Sequence, residues 1–217
     1  MVLTDAIDLA VLLAFVPAVL AIVVSPGPDS VYTLTRSLSG GRAAGVAAGL
    51  GTATGVLVHT AAAVLGLSAL LRTTAEAYLL VKYVGALYLV YLGVQLLRSD
   101  ETFEIDAESG TGEQSLLGSY RRAVVINVSN PQVAVFVIAF FPQFVPPSAN
   151  ATLQLSILGV VYAALSFLYL GGVALFAGRV RHRLLDATLT RRAVQYASGS
   201  VLIGFGLKLA LDDGPTP

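Results

Sequence analysis

The chain has 217 residues, thirteen Lys and Arg against thirteen Asp and Glu, and a formal net charge of zero. Hydrophobic residues make up 56% of it and charged ones 12%, with a mean hydropathy of +0.79, which excludes a soluble domain and reads as an integral membrane protein. Balanced charge leaves no footprint for nucleic acid, and the absence of Cys excludes disulfides and thiolate metal sites.

Six apolar stretches follow in chain order, at 7–35, 43–71, 75–97, 123–145, 153–178 and 193–211. Each is close to or beyond the about 20 residues that cross a bilayer core. The first has Asp5 and Asp8 near its start instead of Lys or Arg, and more spans follow, so it reads as a membrane helix and not as a secretory leader. It is interrupted by Ser25-Pro26-Gly27-Pro28-Asp29. Pro26 and Pro28 have no N–H, so the carbonyls of Ile22 and Val24 lose their helical donors. Ser25 and Gly27 are pushed off helical geometry by the prolines after them. Within a membrane such a break is tolerated only where protein or a water-lined cavity replaces the lost bonds. Asp29 falls in the first turn of the segment that Pro28 opens. It either binds an ammonium or carries a proton, as intramembrane acids do, or it only caps the helix.

The second stretch holds no Asp, Glu, Lys or Arg between Arg42 and Arg72, and His59 lies near its centre. An imidazole there either relays a proton or stays neutral and bonds a neighbouring helix. Gly45, Gly49, Gly51 and Gly55 give two Gly-x-x-x-Gly spacings that let helices approach closely. In the third stretch Tyr83, Tyr88 and Tyr91 read as packing or interfacial residues. The polar segment 99–119, with Asp100, Glu101, Glu104, Asp106, Glu108 and Glu113, reads as an acidic disordered linker between a first half, 1–98, and a second half, 120–217. The fourth stretch carries a second polar break at Asn127, Ser129, Asn130, Pro131 and Gln132. Pro131 frees the carbonyl of Asn127. The amides can meet both charges of a zwitterion, or they can re-satisfy the kinked backbone. Pro146-Pro147-Ser148-Ala149-Asn150 reads as a tight turn before the fifth stretch. In the sixth, Tyr196-Ala197-Ser198-Gly199-Ser200 has a superficial likeness to a serine nucleophile loop, but no base is predicted beside it.

Ten of the thirteen Lys and Arg flank the connections after the first, third and fifth stretches, which places those connections in the cytoplasm and both termini outside. The halves echo one another. Pro17/Pro131, Pro28/Pro142, Gly45/Gly159 and Thr52/Ser166 are 114 residues apart, and Gly93/Gly206 are 113 apart. Three spans per half make the second half inverted relative to the first, as in many secondary transporters. The expected fold is all-α, with six transmembrane helices as two inverted three-helix repeats and helices one and four broken by Pro. Pro28 lies eight residues before Arg36 and Pro131 nine after Arg122. At 1.5 Å per residue both breaks sit roughly 12–14 Å from one membrane face.

These residues resemble the lysine exporter family of amino-acid translocators over nearly the whole chain. The likeness rests on Ser25 to Asp29, Arg36-Ser37-Leu38 with Gly40, Gly45 through Gly55 with His59, and Leu65-Gly66-Leu67. It continues in Lys82 to Leu89, Tyr91-Leu92-Gly93, Asn127, Asn130-Pro131 and Phe141-Pro142-Gln143-Phe144. The resemblance implies export of an amino acid of the threonine, homoserine, lysine or leucine type from a prokaryotic cytoplasm, driven by an ion gradient. Two positions depart from it: Gln132 stands where many members have Lys, and Val56 where some have an acid.

The reading is therefore a multi-pass exporter of the cytoplasmic membrane working by proton antiport, with no catalytic or metal residues and no cofactor beyond the ion gradient. Its partners are a small-molecule substrate and the bilayer, and nothing excludes a homo-oligomer. Asp29, His59, Asn127, Asn130 and Gln132 are the candidates for binding or coupling. Ser25, Pro26, Gly27, Pro28 and Pro131 shape the breaks. The alternatives are export of another metabolite or a cation, and an intramembrane enzyme.

Overall fold

In a computed structural model, residues 7–25, 27–70, 75–98, 115–145, 151–177, 179 and 188–211 are described. Pro26, the acidic segment 99–114, the turn 146–150 and Arg181 and Arg183 lie outside them. The described residues are helical throughout their length apart from caps and breaks.

Helix α1, Leu9–Val24, starts where the Asp8 side chain accepts from the Ala10 N–H at 3.0 Å. Pro17 sits inside it without breaking it. α1 ends at Ser25, whose backbone turns extended (φ −57°, ψ 128°), the geometry imposed on a residue before proline. α2, Pro28–Leu70, then begins with Pro28 at its first position. The connection expected at 36–42 is a kink at Gly41, where two helical arms meet. Only Gly41 leaves helical geometry, at φ 80°, ψ 173°, a conformation open to glycine. Arg36, expected in a cytoplasmic loop, is instead buried on the first arm of α2 with 2% exposure.

Helix α3 is Ala75–Arg98. Helix α4, Leu116–Val128, begins seven residues before the predicted 123, behind a Ser115 side chain that accepts from the Gly118 N–H. Thus residues 115–119 of the expected linker form the cap and first turn of a helix. The chain breaks at Ser129–Asn130 and resumes as α5, Pro131–Phe140, and a 3₁₀ turn, Phe141–Phe144. The two pieces are bent by 57°. α6, Ala151–Leu175, and α7, Thr188–Leu211, complete the bundle. Among the described residues, Pro28–Gly66, Ala151–Leu175 and Arg192–Leu211 are each long and apolar enough to cross a membrane, and the bent α4–α5 pair makes a fourth candidate. α1 is a shorter apolar helix.

The principal packing is between halves: α2 lies against α4 and α6, and α3 against α7. Small residues set these approaches. Gly45 and Gly49 face Ala174 and Leu170 of α6, while Gly51 and Gly55 face Tyr120, Ala123 and Asn127 of α4. The two Gly-x-x-x-Gly pairs thus serve two different neighbours. Several contacts are reciprocal. Gly45 meets Ala174 and Gly159 meets Thr60, and each contact maps onto the other under a shift of 114 residues. Gly93 meets Gly199 and Ile203, while Gly206 meets the Ala86 backbone and Val90, a matching exchange at 113. Ser198 and Gly199 lie on the buried face of continuous α7, so the segment that looked like a nucleophile loop is helix packing.

Two helix pairs lead to the middle of the molecule. The first arm of α2 runs antiparallel to α4, since Asp29 meets Asn127 while Tyr32 and Arg36 meet Ser119. α1 lies against α5 and the 3₁₀ turn through Phe15, which packs on Phe140, Phe141 and Phe144.

A candidate transport site where two helix breaks meet

The two breaks converge on Asp29. Its Oδ2 accepts from Asn127 Nδ2 at 3.1 Å and from Asn130 Nδ2 at 3.4 Å, and its Oδ1 lies 3.5 Å from the Thr52 hydroxyl. The amide orientations follow from chemistry. Asn130 Oδ1 accepts the Gln132 N–H at 3.0 Å and caps α5, so its NH₂ must face Asp29. Asn127 must also turn its NH₂ to the carboxylate, which leaves Asn127 Oδ1 buried and without a hydrogen-bond partner. Gly55 makes room for this side chain, because a Cβ there would collide with Asn127.

Two of the orphaned carbonyls find a side chain from another helix. Val24 O, freed by Pro28, lies 3.5 Å from the Tyr169 hydroxyl of α6. Asn127 O, freed by Pro131, lies 3.0 Å from His59 Nε2 of α2 and 2.9 Å from the Asn130 N–H. A carbonyl can only accept, so the His59 bond requires the proton on Nε2. Asn127 therefore joins the two ionisable candidates, with its side chain on Asp29 and its backbone on His59.

These groups line a cavity of about 40 Å³, room for a few waters. Ser25, Gly27, Asp29, Asn130 and Gln132 reach it from the breaks, and Thr52 from the second arm of α2. Tyr162 and Ser166 of α6 close another wall, and Val56 and Val133 add apolar surface. Among the described residues, the lining holds one carboxylate and no Lys or Arg. Among the described residues no cluster of three or more His, Cys, Asp or Glu could hold a metal ion.

All five candidates for binding or coupling are thus in one neighbourhood, four on the cavity and His59 behind Asn127. Gln132 contributes its backbone to the cap as well as lining the cavity. Pro26 lies outside the described residues, and Pro28 and Pro131 each open the helix after a break. Thr52, Tyr162 and Ser166 were not singled out by the sequence. Thr52 and Ser166 did carry a signal, since they are related by the 114-residue offset and both face the cavity.

A profile of the LysE type translocators matches residues 20–213, almost the whole chain and both breaks. The chain belongs to the LysE type translocator family. This translocator is 34% identical over 205 residues to an uncharacterized membrane protein of Pseudomonas aeruginosa, covering 90% of this chain and 93% of the relative. It is 31% identical to a homoserine/homoserine lactone efflux protein of Salmonella typhimurium, over 86% of this chain and 89% of that one. A leucine efflux protein of Salmonella choleraesuis is 29% identical over 87% and 89%. No solved structure matches the chain. As a member of a translocator family the protein is a membrane transporter and not an enzyme.

Proposed function

We propose that this translocator is a secondary active exporter of amino acids, of the threonine, homoserine, lysine or leucine type, that exchanges substrate for protons across the cytoplasmic membrane of a prokaryote. The observation that carries the reading is the convergence of both helix breaks on one buried carboxylate. Asp29 would hold the substrate ammonium in one half of the cycle and a proton in the other, and His59 would respond to that exchange through Asn127. The names of the two efflux relatives support the substrate class.

The same reading gives a six-span, inverted-repeat architecture, which the reciprocal glycine contacts support. In this reading the Arg36 end of the site faces the cytoplasm and both termini lie outside, which the arginine distribution supports. Two closures flank the cavity. On the α2–α4 side, Arg36 Nε donates to Ser119 Oγ at 3.0 Å, Arg36 Nη1 to Ser39 Oγ at 3.2 Å, and the Tyr32 hydroxyl to Ser119 O at 3.3 Å. On the α1–α5 side lie the fully buried rings of Phe15, Phe136, Phe140 and Phe141. Alternate opening of the two would expose the site to each face in turn.

Purified protein in proteoliposomes, loaded with unlabelled amino acid, tests the reading by counterflow. Labelled threonine, homoserine or leucine should accumulate, and an imposed pH gradient should drive net flux. Absence of flux across a broad amino-acid panel, with or without that gradient, would overturn it. His59→Gln should retain counterflow while losing the response to the pH gradient, and an unchanged response would remove His59 from coupling.

A further inference from the structure

The cavity has an obvious partner for an ammonium in Asp29, but an amino acid also brings a carboxylate, and among the described residues the lining offers no Lys or Arg to meet it. The carboxylate must be met by neutral donors. Two kinds are present at one place.

The first is the start of α2. Pro28 at the first helical position leaves the N–H groups of Asp29 and Ser30 without intrahelical acceptors, and the helix dipole favours negative charge there. The second is Ser25. It lines the cavity, is 4% exposed, and its Oγ is buried with no hydrogen-bond partner among the described residues. A buried hydroxyl without a partner calls for an explanation. Its role in the break does not supply one, because the cap of α1 is made by the Ser25 backbone N–H on Ala21 O at 3.3 Å and not by the side chain. Asn127 Oδ1 is the complementary orphan, a buried acceptor on the same cavity.

Resting on the amino-acid reading above, we propose that Ser25 Oγ and the first-turn N–H groups of α2 form the carboxylate subsite of the cargo, while Asp29 and Asn127 Oδ1 form its ammonium subsite. Ser25, Asp29, Ser30 and Asn127 line one small cavity, which suits charges separated only by Cα. The cargo class that satisfies both orphans on the cavity is a free α-amino acid carrying both charges. Derivatives with a blocked carboxylate leave Ser25 unpaired and are poorer substrates.

The test compares homoserine with homoserine lactone, which keeps the ammonium and has no carboxylate, in proteoliposome counterflow. Ser25→Ala should raise KM for homoserine by about ten- to a hundredfold, the loss of one charge-assisted hydrogen bond, and leave KM for the lactone near wild type. Ser25→Thr, which keeps the hydroxyl, should restore homoserine transport. A parallel rise for both compounds, or no change for either, overturns the role of Ser25 while leaving the amino-acid reading intact. Wild-type protein that moves neither homoserine nor any other amino acid overturns the amino-acid reading itself.

Discussion

Opposite chemistries lie on the two sides of the site. On the α2–α4 side, three hydrogen bonds join Tyr32, Arg36, Ser39 and Ser119, with Gly40 leaving space for the guanidinium. On the α1–α5 side the contacts are ring on ring: Phe136 and Phe140 stack at 4.7 Å, and Phe15 meets Phe141 edge-on at 5.4 Å. Tyr162 ties this plug to the cavity, packing on Phe136 at 5.6 Å while lining the site. Water treats the two ends differently. Hydroxyls and a guanidinium exchange protein bonds for water bonds, with a net loss of about 1 kcal/mol per bond, more when charged. Rings exposed to water lose about 1.5–3 kcal/mol each. The polar clasp is therefore the end that wets at lower cost.

The largest effect that would break this contrast is expected at the plug. Phe140→Ala should lower stability by about 3–5 kcal/mol, read as thermal unfolding in detergent, because Phe140 is fully buried among Phe15, Phe136, Phe144 and Phe205. Arg36→Ala should cost about 1.5–3 kcal/mol, the range for a hydrogen bond made by a charged group. Tyr32→Phe should cost about 1 kcal/mol or less, since it removes one neutral bond of 3.3 Å. A double-mutant cycle sharpens the comparison. Arg36 and Ser119 should couple by about 0.5–3 kcal/mol, whereas Arg36 and Phe140, at opposite ends of the site, should be additive within about 0.5 kcal/mol. Coupling between clasp and plug in the resting protein would show that they are one closure and not two.

The chain contains no Cys, so single-Cys variants give a clean accessibility readout. Cys at Ser39 on the clasp and at Phe144 on the plug should change thiol-labelling rates in opposite directions when amino acid is added. Changes in the same direction would count against alternate opening.

Much of the site was legible because proline chemistry is local. A missing N–H names the carbonyl it orphans, and both Val24 O and Asn127 O turned out to need partners from other helices. The partners themselves, Tyr169 and His59, are 145 and 68 residues away, and no local pattern gives that pairing. The burial of Arg36 was not legible, because Ser119, which accepts from its Nε, is 83 residues away, and Gly40 leaves the space for its guanidinium. The plug was also hidden, because its rings come from α1, α5 and the 3₁₀ turn, with Phe205 from α7, and no one segment shows the cluster. The repeat offset did point to Thr52 and Ser166, whose shared place on the cavity follows from the packing of α2 on α6.

The account stands most directly on Asp29. Counterflow of labelled amino acid in proteoliposomes should be lost in Asp29→Asn, by about a hundredfold or more if the charge-assisted bonds to the substrate ammonium contribute about 3 kcal/mol. The amide can still sit between Asn127 and Asn130, so the variant should remain folded. Wild-type counterflow with an unchanged response to a pH gradient in Asp29→Asn would show that the carboxylate only caps the broken helix, and would contradict the account.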